Sequence, residues 1–237
     1  LFPNVAIHWV VTIGMTAAFA GVLGYVVAYF ASGLGNVNLL VLASITMVWG
    51  VAMGGLFIDD PDWWRVSLSY LGSRTNPWRI FFNLGTILTG LIVLIVNQDT
   101  IALIRILRDK KSVTQDYFVS VRWLLILIPL FVAGVGLFPR RISPLFDLVH
   151  NVNAMAAGGL WMVLAFFTVG QRSSIHSPRF VQISRLLVVA LVGLYVLYIV
   201  DILNYVGFEL ALFIPIMVTG VGLQMGVISL VARRHGG

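Results

Sequence analysis

The sequence predicts an all-α protein built as a polytopic transmembrane helical bundle. The chain has 237 residues, of which 59% are hydrophobic and only 10% are charged, whereas an ordinary soluble domain has about 25% charged residues. A membrane-spanning helix needs about 20 apolar residues, so the roughly 140 apolar residues of the chain suffice for about seven spans. This composition excludes a water-soluble globular protein and predicts a single integral membrane domain over residues 1–237.

Apolar segments long enough to cross a bilayer follow one another along the whole chain. The first is much longer than the apolar region of a signal peptide, so we expect a true span. Short polar connections separate the segments, and the longest polar connection covers residues 59–79. The predicted spans are residues 5–31, 38–58, 80–105, 117–138, 147–170, 181–205 and 208–232.

Basic residues are distributed unequally between the two ends of these spans. Ten of the fifteen flank the third-to-fourth and fifth-to-sixth connections or follow the last span, so they share one side if the chain crosses seven times. Cytoplasmic loops carry an excess of Lys and Arg. We therefore expect a plasma-membrane protein with its N-terminus outside and its C-terminus in the cytoplasm. Because the basic residues are scattered between apolar runs, they do not predict a nucleic-acid partner.

Several function classes are excluded by residues that the sequence lacks. It has no cysteine, which removes cysteine nucleophiles and thiolate metal sites. Both lysines lie in a predicted cytoplasmic loop, so no span offers a lysine for a retinal Schiff base. The four histidines do not supply the facing pairs of a transmembrane haem or the usual ligands of a catalytic zinc. The sequence predicts no cofactor and no metal site.

Short motifs in the outer connections resemble a known family. They are Ser67-Leu-Ser-Tyr-Leu-Gly-Ser73, Asn76-Pro-Trp, Asn83-Leu-Gly, Gly134-Val-Gly-Leu-Phe-Pro139 and Asp147-Leu-Val-His150. Over roughly residues 38–232 the chain is similar to the bacterial membrane family known as domain of unknown function 998, which is itself similar to DRAM/Sfk-type lipid-associated membrane proteins. The resemblance implies a compact six-helix core, to which the first span is additional, and an outward-facing polar pocket. It implies no catalytic residues.

Four arginines are predicted on the outer face, against the general charge asymmetry. They are Arg74, Arg79, Arg140 and Arg141. Guanidinium groups bind phosphate in a bidentate manner, so a phospholipid or polyprenyl-phosphate headgroup is one expected ligand. The alternative is that the arginines pair with acidic residues of the same face, and the sequence leaves both interpretations open. Those acidic residues are Asp59, Asp60, Asp62 and Asp147.

Four further residues are candidates for the pocket. Trp64 could stack on a headgroup, although tryptophan is enriched at membrane interfaces in any case. Asn83 and Asn151 lie near the outer starts of the third and fifth spans. Asp201 lies toward the outer end of the sixth span, where an acidic residue is a functional candidate. We expect a multi-pass protein that binds or handles a lipid or lipid-linked ligand, or that serves as a subunit of a membrane complex.

An intramembrane lipid hydrolase is the alternative function. Asp147 and His150 are three residues apart, which places them on one helical face within hydrogen-bonding reach. A carboxylate that orients an imidazole is half of a general-base arrangement, and Ser67 or Ser69 could complete it. Lipid hydrolases with seven spans pair two histidines one helical turn apart, whereas this chain has Ala154 one turn after His150. The catalytic assignment therefore stays open.

Overall fold

The computed structural model describes residues 35–60 and 62–170, together with a few isolated positions between 182 and 196. The continuous part contains four α-helices and no strand. Two short 3-10 helices, Trp63–Arg65 and Leu68–Gly72, lie in the first connection. The α-helices are α1 (Asn36–Leu56), α2 (Arg79–Asp109), α3 (Gln115–Leu137) and α4 (Pro144–Gly170).

Each of these four helices is long and apolar enough to cross a membrane. They correspond to the predicted spans 38–58, 80–105, 117–138 and 147–170, which are confirmed as helices of spanning length. The predicted spans 5–31, 181–205 and 208–232, and with them Asp201, fall outside the continuously described residues. The total of about seven spans therefore stays a prediction.

Helix α2 continues four residues beyond the predicted end at 105, through a charged segment. The reason is tertiary packing. Ile104 and Leu107 are buried in an apolar cluster with Val113 and Tyr117. The additional turn of helix therefore buries apolar side chains, which stabilises it, although the mean hydropathy of this charged segment is low. The helix ends at Asp109, and a left-handed residue, Lys111, follows two positions later with a φ of 55°.

Helix α4 begins three residues before its predicted start because of its local sequence. The Ser143 hydroxyl accepts a hydrogen bond from the backbone N–H of Phe146 across 3.3 Å, which caps the helix. Pro144 occupies the first helical position, where its missing N–H has no cost. Thr114 caps α3 in the same way, through the N–H of Tyr117 at 3.2 Å.

The helices pack in chain order, each against the next, and glycines permit close approach. A Cβ atom added at Gly50 would lie 3.1 Å from the Cα of Gly85 on α2. One added at Gly90 would lie 2.6 Å from the carbonyl oxygen of Pro129 on α3. Polar side chains also join the helices, since Asn97 Nδ2 donates to a carbonyl oxygen of α3 across 2.7 Å. These contacts place two connections, 57–78 and 138–143, at the same end of the bundle.

Candidate functional site

The two connections meet through a backbone hydrogen bond. The N–H of Arg74 donates to the carbonyl oxygen of Arg140 across 3.0 Å. Arg79, the first residue of α2, donates from Nη1 to the carbonyl oxygen of Arg74 across 3.2 Å. Arg141 follows in the same connection as Arg140. Four arginines that the sequence placed only on a common face thus gather at one end of the bundle, which is called the arginine end below.

Arg140 and Arg141 both contact one short 3-10 turn of the first connection. Arg140 Nη1 donates to Ser67 Oγ across 3.2 Å, and the hydroxyl oxygens of Ser67 and Ser69 lie 3.0 Å apart. The guanidinium carbon of Arg141 lies 4.7 Å from the centre of the Tyr70 ring, a cation–π distance. The turn therefore fixes the positions of two neighbouring cations.

Two acidic residues of this end, Asp60 and Asp62, bind partners other than the four arginines. Tyr70 donates its hydroxyl proton to Asp60 Oδ2 across 2.9 Å, and Asp62 forms an ion pair with Arg65 at 3.3 Å. Within the described part of the chain, none of the four arginines forms an ion pair with a carboxylate. Direct ion pairing between these acidic residues and the four arginines is therefore absent among the residues that the structure describes, and both interpretations of the arginines stay predictions.

Asp147 acts on the backbone of the arginine end. Its Oδ1 accepts a hydrogen bond from the N–H of Arg141 across 2.6 Å, and it lies in the first turn of α4, where a carboxylate is favoured by the helix dipole. Arg141 has a left-handed φ of 62°, a conformation that costs free energy in a residue other than glycine. Asp147 therefore helps to hold the strained turn that presents Arg140 and Arg141.

His150 is buried beneath this turn, with only 2% of its surface exposed. Its Nδ1 lies 2.8 Å from the carbonyl oxygen of Phe138. Because a carbonyl oxygen can only accept, Nδ1 carries a proton, and Nε2 of the neutral ring is an acceptor. That Nε2 atom is buried without a partner among the described residues. The hydrogen bond expected between Asp147 and His150 is not formed, because each side chain binds a different backbone group.

Two asparagines hold the first connection against the helices. Asn76 Nδ2 donates to the carbonyl oxygen of Leu71 at 2.6 Å, and its Oδ1 accepts from the N–H of Trp78 at 3.0 Å. Asn83 Nδ2 donates to the carbonyl oxygen of Gly72 at 3.3 Å. Asn83 is buried, so its observed role is to anchor the connection. The sequence interpretation missed Asn76 and Tyr70 as organising residues, although an Asn-Pro pair is a recognised turn signal.

Three other candidates contribute less to this geometry. Asn151 is exposed on α4. The backbone of Trp64 lies in a 3-10 helix, but its side chain, like Asp201, is outside what the structure describes. Among the described residues, no three His, Asp or Glu side chains lie together in a way that could hold a metal ion.

Two open concave surfaces of the described residues lie away from the four arginines. One, of about 410 Å³, lies beside the connection between α2 and α3 and includes Arg108 and Lys111. The other, of about 500 Å³, is an apolar groove on α1. Neither is the polar pocket expected at the outer face. At the arginine end Arg74 and Arg141 are exposed, while Arg79 and Arg140 are half-buried.

Long apolar helices joined by short polar connections define the class: the continuously described part of the chain is helical, and its four α-helices are long and apolar enough to cross a membrane. The chain belongs to the family described as "Protein of unknown function (DUF998)", which it matches over residues 41–224. The resemblance to this family, predicted from the motifs, is thereby confirmed, whereas the bacterial origin and the similarity to DRAM/Sfk-type proteins stay predictions. No curated protein and no solved structure matches the chain.

Proposed function

We propose that this chain is a multi-pass plasma-membrane protein that binds an anionic lipid or lipid-linked ligand through its phosphate at the arginine end. The protein handles this ligand itself or does so as a subunit of a membrane complex. The proposal is carried by one observation, the four guanidinium groups without a carboxylate partner among the described residues. Cations at the end of membrane-spanning helices attract anionic headgroups. In the proposed topology the arginine end faces outward.

The local contacts favour phosphate binding. Among the described residues, Arg79 donates a side-chain hydrogen bond to the carbonyl oxygen of Arg74, and Arg140 donates one to the hydroxyl of Ser67. A guanidinium group has five N–H donors, so most of its donors stay available to a ligand. Since the side chains are already positioned, a phosphate would meet them at a reduced entropic cost. Each charge-assisted hydrogen bond contributes about 1.5–3 kcal/mol.

Native mass spectrometry of the full chain in a neutral detergent tests this proposal. The probes are phosphatidylglycerol and phosphatidylcholine with identical tails. We expect the protein to retain phosphatidylglycerol preferentially, and a fourfold variant at the arginine end to lose this preference. The variant is Arg74→Gln, Arg79→Gln, Arg140→Gln and Arg141→Gln.

A matched control removes four cations at the opposite end of the helices. This control is Arg105→Gln, Lys110→Gln, Lys111→Gln and Arg122→Gln. It has the same net charge as the first variant, so it should keep the preference if the arginine end is the site. Equal losses in the two variants would indicate a general effect of net charge and would refute the proposal.

A lipid hydrolase is a second candidate because His150 Nε2 is a buried acceptor without a partner among the described residues. In that role it would take a proton from Ser67 or Ser69. The hydroxyl of Ser67 contacts Arg140 and Ser69, so the general-base reaction would require this network to rearrange. Loss of lipid hydrolysis in His150→Ala would support this candidate. Absence of hydrolysis by the wild-type protein across a panel of phospholipids would eliminate it.

A further inference from the structure

Tyr70 links an acidic residue to one of the four arginines. Its hydroxyl donates a hydrogen bond to Asp60 Oδ2 across 2.9 Å. The guanidinium carbon of Arg141 lies 4.7 Å from the centre of its ring. Only 9% of the surface of Tyr70 is exposed, so the surrounding structure fixes the ring. One buried side chain therefore contacts a carboxylate through its hydroxyl and a cation through its ring.

Arg141 is held both at its backbone and at its side chain. Its backbone N–H donates to Asp147 Oδ1 across 2.6 Å, and its guanidinium group lies over the ring of Tyr70. The residue is exposed, and an exposed arginine side chain ordinarily populates many rotamers. Contacts that fix it in advance lower the entropic cost of binding a ligand. The ring offers no lone pair, so this contact leaves the N–H donors of the guanidinium group to a phosphate.

Asp60 acts on Arg141 through the ring of Tyr70. Among the described residues, Asp60 and Arg141 form no ion pair. A hydroxyl that donates to a carboxylate makes a strong, charge-assisted hydrogen bond, and such a bond polarises the donor. The polarised ring is more electron-rich and attracts a cation above it more strongly. The carboxylate thus stabilises the position of the guanidinium group without occupying its donors.

We propose that Tyr70 and Asp60 are positioning residues for the anionic ligand, because they hold Arg141 where it binds the phosphate. This inference rests on the proposed function, since it requires an anion at the arginine end. It adds an acidic residue that improves the binding of an anion. It also distinguishes Arg141 from Arg74, whose hydrogen bonds among the described residues are made by its backbone.

Removal of Asp60 gives opposite results for positioning and for charge alone. Loss of a carboxylate near an anion site raises the affinity for the anion if only Coulomb attraction matters. We instead expect Asp60→Ala to lower the preference for phosphatidylglycerol over phosphatidylcholine at least about twofold. The matched control is Asp62→Ala, which removes a carboxylate of the same connection that pairs with Arg65. This control should leave the preference unchanged or raise it.

Tyr70→Phe tests the contact with Asp60 without a change in charge. It keeps the ring and removes only the hydroxyl. Asp60 Oδ1 also accepts a hydrogen bond from the backbone N–H of Asp62 across 2.9 Å, and Tyr70→Phe leaves that bond in place. We expect this variant to lower the preference about two- to fivefold. The measurement is the ratio of the two lipids, with identical tails, that the full chain retains in native mass spectrometry.

A double-mutant cycle shows whether Tyr70 acts through Arg141. We expect Tyr70→Phe to have no further effect in an Arg141→Gln protein and to keep its full effect in an Arg74→Gln protein. A purely structural role of Tyr70 would lower the preference equally in both proteins, and that result would overturn the inference. A gain in Asp60→Ala as large as the gain in Asp62→Ala would overturn it as well.

The proposed function fails by a different result. If Arg141→Gln keeps the wild-type preference while the fourfold variant at the arginine end loses it, only the positioning inference fails. If the fourfold variant keeps the preference, the proposed function fails too.

Discussion

Replacing Gly90 by alanine would test how closely α2 and α3 pack. A Cβ atom at this position would lie 2.6 Å from the carbonyl oxygen of Pro129 and 2.8 Å from the backbone nitrogen of Ala133. Both are backbone atoms, so the clash is relieved only if the two helices separate. Overpacking of this kind costs about 1–3 kcal/mol, and the higher helix propensity of alanine offsets about 1 kcal/mol of it. Because both contacts are with backbone, we expect a net loss of about 1–2 kcal/mol in the free energy of unfolding.

The assay is unfolding of the full chain in dodecyl maltoside micelles by increasing mole fractions of dodecyl sulfate, followed by circular dichroism. Gly158→Ala is the matched control, because no atom of the described residues lies within 4 Å of a Cβ at that position. This control should be neutral or stabilised by up to about 1 kcal/mol through helix propensity. A Gly90→Ala protein as stable as the wild type would refute the close packing of α2 against α3.

Two further predictions concern the bundle and its orientation. Asn97→Leu removes the hydrogen bond to the carbonyl oxygen of Leu125 and should lower the free energy of unfolding by about 0.5–2 kcal/mol. The control is Gln98→Leu, at an exposed residue that bonds within its own helix, and it should change the free energy of unfolding less. A larger loss in Gln98→Leu than in Asn97→Leu would contradict the assigned contact. Because the chain has no cysteine, Thr75→Cys and Gln115→Cys can be labelled individually in intact cells. A membrane-impermeant maleimide should react with Thr75→Cys and reach Gln115→Cys only after permeabilisation, and the opposite pattern would invert the proposed topology.

The four described spans could be predicted because hydropathy is averaged over about 20 residues, so that a single polar residue within a span changes the average little. Their ends were less accurate for two different reasons. The start of α4 depends on a local signal that is present in the sequence, Ser143 followed by Pro144. The end of α2 depends on the burial of Leu107 among side chains from the next helix, which no local pattern encodes.

The candidate site was only partly predictable. Charge asymmetry placed Arg74 and Arg140 on one face, and the structure joins them through a backbone hydrogen bond. The spacing of Asp147 and His150 correctly placed both near the start of one helix but could not give their partners. A local pattern specifies which residues share a helical face. It does not specify which backbone groups bind their side chains, because those groups lie in other segments.

The sequence by itself predicted a lipid environment and the helical class of the fold. The free energy of transferring about 140 apolar residues into lipid depends on composition and segment length, and both can be obtained from the sequence. Only the tertiary structure decided which partners the charged side chains of the described residues contact. Asp60 accepts a hydrogen bond from Tyr70, and Asp147 accepts one from the backbone of Arg141. Hydrogen bonding acts over about 3 Å, so it depends on which segments the fold brings together, and a local sequence pattern does not specify those segments.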